Sequence, residues 1–162
     1  MFDDASIKVN SFRSLFENMI FLSTVLSLCG AQVMKGIIHI LNGRRKKKRE
    51  LVEVLIWRTG GMPSSHAAVV CSMCTSVALV EGIASNLFVL SFWFALVVLR
   101  DAMGVRRSTG LLSKGLNNLG KQVSEKTDLD FHPVKEIQGH TPLEVVIGGL
   151  LGIFVAAGLH LF

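Results

Sequence analysis

The chain has 162 residues, half of them hydrophobic, with a mean hydropathy of +0.50 and a net charge of +5. Its apolar residues gather in long runs instead of recurring with a period, which excludes an ordinary soluble domain and points to transmembrane helices. The length leaves room for one domain of a few helices, and an odd set of three cysteines within apolar runs (Cys29, Cys71 and Cys74) excludes a disulfide framework.

Residues 1–17 are mixed polar and carry acidic residues without an apolar core, unlike a cleavable signal peptide. Ser14 and Glu17 have capping-box spacing, a helix-start signal. An apolar stretch from about Asn18 to Leu41 follows and is long enough to span, with Gln32, Lys35 and His39 in its second half. The six adjacent cations Arg44–Arg49 end it in a surface loop, and residues 51–57 suit a short interfacial helix. Gly60-Gly61-Met62-Pro63 breaks the chain, and Pro63 is placed in the first turn of a second span, Ser64 to Val80. That span is rich in small residues suited to close helix contact. Cys71 and Cys74 have C-x-x-C spacing but no second pair, and read as packing residues.

A short turn at 81–86 leads to a third span, 87–101. Residues 104–139 are polar, yet Leu111, Leu112, Leu116, Leu119 and Val123 share a helical face with Lys114 and Lys121 elsewhere on the wheel. This predicts a basic amphipathic helix on the membrane surface. The last span runs over 143–162. Thr141 caps it, Pro142 takes its first position and Glu144 completes a capping box.

The expected fold is therefore all-α: one integral membrane bundle of four transmembrane helices, with an interfacial amphipathic helix between spans three and four. Cations crowd the first and third loops and are absent from the turn at 81–86. The positive-inside rule then puts those loops in the cytoplasm and both termini outside. The expected location is a bacterial plasma membrane. The Arg44–Arg49 run is a topology signal and a contact for anionic lipids, not a nucleic-acid site.

This topology brings scattered polar groups to one depth. Lys35 lies near the inner end of span one, Gly60 to His66 open span two, Asp101, Arg106 and Arg107 follow span three, and Gly139 to Glu144 open span four. Each group suits a phosphate. Helix N-termini offer free N–H groups and a positive dipole end, glycines admit close approach, serine hydroxyls donate, and Arg and Lys supply charge. His66 and His140, at the starts of two spans, can divide nucleophile and acid roles. Blander roles exist for each: Lys35 can snorkel to the headgroups, Glu144 can serve only the capping box, and Asp101 can pair with Arg100 or Arg106. His39, His132 and His160 lack a partner pattern and read as incidental.

Gly-Gly-Met-Pro-Ser-Ser-His, Asp-Ala-Met-Gly-Val-Arg-Arg and Gly-His-Thr-Pro-Leu-Glu-Val, with Gln32-x-x-Lys35 upstream, resemble the divergent PAP2 family, also called DUF212. That family is related to acid phosphatases and vanadium-dependent haloperoxidases. The resemblance covers roughly residues 15–160. It implies a metal-independent phosphatase without cofactors that works through a phosphohistidine. His140 would be the nucleophile, Glu144 its orienting acid and His66 the proton donor. Lys35, Ser64, Ser65, Arg106 and Arg107 would bind phosphate, with Gln32, Gly60, Gly61, Asp101 and Asn117 in support. The chain departs from the wider superfamily pattern in several places. No Arg-Pro follows Lys35 at the usual spacing, where Arg58 is a distant stand-in. Ser65 replaces a glycine, Glu144 replaces an aspartate, and the Arg-to-His interval is longer. The expected activity is hydrolysis of a phosphorylated or pyrophosphorylated lipid. The alternative is a non-catalytic binder or carrier of a phosphorylated lipid.

Overall fold

The computed structural model describes residues 13–41, 61–127, 129–136 and 139–161, with Arg106 described in its backbone only. The Arg44–Arg49 run, Arg58, Gly60 and the expected interfacial helix at 51–57 lie outside these residues. Among the described residues the regular elements are helices, without strands: α1 (Met19–Leu41), α2 (Ser65–Glu81), α3 (Asn86–Met103), α4 (Val105–Ser124) and α5 (Pro142–Leu161).

Local chemistry sets the helix starts. The first span begins at Asn18, whose Oδ1 accepts from the Ile20 and Phe21 amides at 2.9 and 3.1 Å. Ser14 instead lies within a separate helical turn over 13–17, where Arg13 pairs with Glu17. At α2 the cap falls on Ser64, whose hydroxyl accepts from the Ala67 amide. Pro63 therefore stands one residue before the cap and not in the first turn, following a cis Met62–Pro63 bond. Ser85 caps α3 in the same way through Phe88. Gly82, at φ +84, makes the turn between α2 and α3. Only Gly104 separates α3 from α4, so the amphipathic helix follows the third span almost without interruption.

Among the described residues, three stretches are long and apolar enough to cross a bilayer: Met19–Leu41, the run that starts at Asn86, and Pro142–Leu161. The remaining apolar helix, α2, has 17 residues and a rise of about 25 Å. It packs against α1, α3 and α5, so it is the central helix of the bundle. Short length and many small residues go together here, because α2 faces protein on several sides.

The bundle is polar within and apolar without. Ser23, Ser27, Ser64, Ser72 and Ser76 are fully buried, whereas Leu90, Trp93, Phe94, Val97 and Phe154 face outward. Water would oppose that distribution and lipid favours it, since packing of small residues replaces the hydrophobic effect as the bond between helices.

Repeated steps of four residues align α1, α2 and α5. Lys35 meets Ser65 and Ser23 meets Ser76, so α1 and α2 are antiparallel. A Cβ added at Gly148 would strike the Ser64 carbonyl, and one at Gly152 the Ala68 carbonyl. Ser76 meets His160. Hence α2 and α5 run parallel, and both begin at the end where Lys35 lies. Ala102, in the last turn of α3, clusters with Ala67 and Val145 from the first turns of α2 and α5. Four helix ends thus meet at one end of the bundle.

Candidate functional site

The site is built on a single helix-start motif. Thr141 donates its amide to Glu144 Oε2 at 3.0 Å, and the Glu144 amide donates to Thr141 Oγ1 at 3.4 Å. This is the capping box read from the sequence. The same Oε2 lies 3.1 Å from His140 Nδ1. Glu144 therefore holds both the helix start and the imidazole. His140 is only 3% exposed, and its backbone amide donates to the Ala102 carbonyl of α3 at 3.4 Å.

A second tie joins α5 to α2: the Ser64 amide donates to the Glu144 carbonyl at 2.9 Å. Ser64 is fully buried, and its hydroxyl is engaged as the α2 cap. Ser65, next along, accepts at 3.2 Å from the ammonium of buried Lys35. The His66 ring lies 6.3 Å from that of His140, at 66° between planes. A lysine inside an apolar helix costs about 2.5–3.5 kcal/mol on insertion scales, and its engagement with Ser65 places it in a polar site rather than at the headgroups.

Gln32, Lys35 and His39 lie on one stripe of α1, three and four residues apart. Gln32 Oε1 and His39 Nε2 are enclosed without a hydrogen-bond partner. Asp101 lies in the last turn of α3, and Arg106 and Arg107 in the first turn of α4. Arg107 and Glu144 line a cavity of about 300 Å³ whose walls include Gly61, Gly110 and Gly139.

Lys114 and Glu136 line the same cavity. Glu136 is held there by Asn117, a residue that sequence reading placed only in a supporting role. Asn117 exchanges hydrogen bonds with the backbone of Val134 (both 2.9 Å) and donates to Glu136 Oε1 at 3.1 Å. The Phe131 ring lies where a Cβ on Gly120 would stand. Residues 129–136 are thus strapped along α4. No motif marks Glu136. Its only signal is its place four residues before His140.

His160 has a structural partner that its sequence context does not announce. It bonds to Ser76 at 2.8 Å, and Ser76 bonds to Ser23 at 2.6 Å, at the end of the bundle away from the site. His160 is thus part of the interior polar seam and not incidental.

A helical membrane bundle with two histidines, a carboxylate, a lysine and serines at one end defines the class of protein. The divergent PAP2 family profile matches residues 16–155, and the chain belongs to that family. It is 37% identical over 159 residues to the uncharacterized membrane protein YuiD of Bacillus subtilis (strain 168), covering 91% of this chain and 98% of that protein. No solved structure matches the chain. The chain is a membrane protein.

Proposed function

We propose that the protein is a lipid phosphate phosphohydrolase that acts at the cytoplasmic membrane face through a phosphohistidine at His140. The observation that carries this reading is the pairing of His140 Nδ1 with Glu144 at 3.1 Å, with the His66 ring across from it. A carboxylate on Nδ1 fixes the tautomer and leaves Nε2 unprotonated, as a nucleophile requires.

In the reaction, Nε2 attacks phosphorus as the ester P–O bond breaks, and His66 protonates the departing alcohol oxygen. Water then attacks the phosphohistidine, His66 takes its proton, and inorganic phosphate leaves. Lys35, Ser65, Arg106 and Arg107 stabilise charge on the phosphoryl oxygens. Ser64 contributes by holding the start of α2, because its hydroxyl is engaged in the cap. The substrate is a phosphorylated or pyrophosphorylated lipid with its tail in the bilayer. The membrane arrangement of this reading has four spans, with α2 as the fourth beside the three longer stretches. In it, α4 lies in the interface and the Arg44–Arg49 run meets anionic lipids.

Rapid quench of the detergent-purified protein with a ³²P-labelled lipid phosphate is expected to trap acid-labile, base-stable label on His140. Saturable lipid binding with neither label nor phosphate release would overturn the hydrolase and favour a carrier. Lys35→Met removes a buried charge and keeps the length of the stem. It is expected to leave the thermal midpoint unchanged or raised, while weakening vanadate binding about tenfold or more through loss of a charge-assisted contact. Unchanged vanadate affinity would remove Lys35 from the site.

A further inference from the structure

We propose that the cavity between α4, Glu136 at the end of the strap and the start of α5 takes a phosphate that also carries a protonated amine, the phosphate at Arg107 and Lys114 and the amine at Glu136. The inference rests on the phosphate-binding reading above, shares Arg107 and Glu144 with that site, and adds Lys114 and Glu136 to the groups that meet the headgroup.

The cavity shows both signs of charge. Arg107 and Lys114 are two helical turns apart on α4, a rise of about 10 Å, and both line it. Glu136 and Glu144 line it too, but Glu144 is committed to His140 and the Thr141 amide. Among the described residues, no ion pair joins Arg107, Lys114 or Glu136 to any partner. Two cations and one carboxylate therefore line the same space without an ion pair between them.

A plain phosphate dianion accounts for the cations and leaves Glu136 repelling it. Anchoring the strap does not account for Glu136 either. Asn117 already holds the strap by two hydrogen bonds to Val134, and it takes only Oε1 of Glu136. A phosphate dianion with an ammonium on the adjoining carbon chain matches the wall charge for charge: two cations for the phosphate, the second carboxylate oxygen for the amine. The three glycines of the wall, Gly61, Gly110 and Gly139, leave its backbone open to such a group.

The test uses the full chain in detergent and two matched pairs of probes. One pair is soluble, O-phosphoethanolamine against ethyl phosphate. The other is a long-chain 2-aminoalkyl phosphate against the alkyl phosphate of equal length in mixed micelles. Calorimetric titration is expected to show each aminated probe binding about tenfold more tightly than its partner, the scale of one charge-assisted hydrogen bond. A preference in both pairs assigns the ligand to the headgroup chemistry alone, and one confined to the long-chain pair assigns it to a lipid. Glu136→Gln retains an acceptor for Asn117, so the strap stays in place. This variant is expected to lose the preference by weakening only the aminated probes, and ethyl phosphate binding reports that it has folded. Equal affinities within both pairs in the wild-type protein, or equal weakening of all probes by E136Q, would overturn the proposal. Phosphate release without the preference refutes this ligand class and leaves the hydrolase standing. The preference without phosphate release supports the ligand class and refutes the hydrolase.

Discussion

His140→Ala is expected to abolish phosphate release from lipid phosphates, lowering kcat by at least about 10³-fold, the scale seen when a covalent nucleophile is removed. The fold is expected to survive. The tie from this position to α3 runs through the backbone amide to the Ala102 carbonyl, and the capping box needs only Thr141 and Glu144. Loss of the imidazole leaves a small gap at the end of the bundle and frees Glu144 from one of its partners. Glu144→Gln is the companion change. An amide oxygen still accepts from Thr141, so the helix start is retained, but the imidazole loses the charge that steadies it during attack. A fall in kcat of about 10-fold to 10³-fold is expected, with little change in thermal midpoint. Wild-type rates in His140→Ala, measured as inorganic phosphate released by purified protein, would remove this residue from the chemistry.

The second large effect concerns Gly152. Its missing Cβ lets the α5 backbone lie against α2, and an added Cβ would meet the Ala68 carbonyl and crowd the Ser72 amide. No flexible side chain stands there to yield, so α5 itself must move. Gly152→Val is expected to destabilise the bundle by about 3 kcal/mol or more. It should also reduce activity from a distance. Moving α5 stretches the Ser64 amide from the Glu144 carbonyl, and with it shifts the register of His66 against His140. Gly158 has open space around its Cβ direction, so Gly158→Ala on the same helix is the control and should be close to neutral. Equal thermal midpoints for the two variants in detergent would contradict the close approach.

Much of this architecture was legible because it is local. Thr141, Pro142 and Glu144 announce a helix start by hydrogen-bond capacity alone, and the start is found there. The leucines of α4 announce its amphipathic face by period. The meeting of Lys35, Ser65, His66 and His140 followed from alternating apolar runs, because each run reverses the chain. The starts of α1 and α2 were less legible, since Asn18 and Ser64 compete with neighbours of similar capping strength and tertiary ties choose between them. The bonds of Asn117 to residues 17 and 19 positions later, and of Ser76 to His160 84 positions later, have no period or spacing to betray them. Glu136 belongs to this group. It enters the cavity because the strap folds back on α4, and only the fold records that.

The interior seam of α1, α2 and α5 has one more consequence. Ser23, Ser27, Ala31, Ala68, Ser72, Gly148, Gly152 and Ala156 have few or no rotamers to lose. Ordering a buried lysine or methionine forfeits up to about 2 kcal/mol of side-chain freedom, and ordering alanine or glycine forfeits almost none. In lipid, where apolar surface gains little by leaving its solvent, that saving is a substantial part of what keeps three helices together. Where these small residues meet, the seam is also stiff, because none of them has a long side chain whose rearrangement would let one helix slide past another. In the proposed phosphohydrolase, any opening for a substrate is expected at α4 and its strap, while the ends that hold His66 and His140 stay in register.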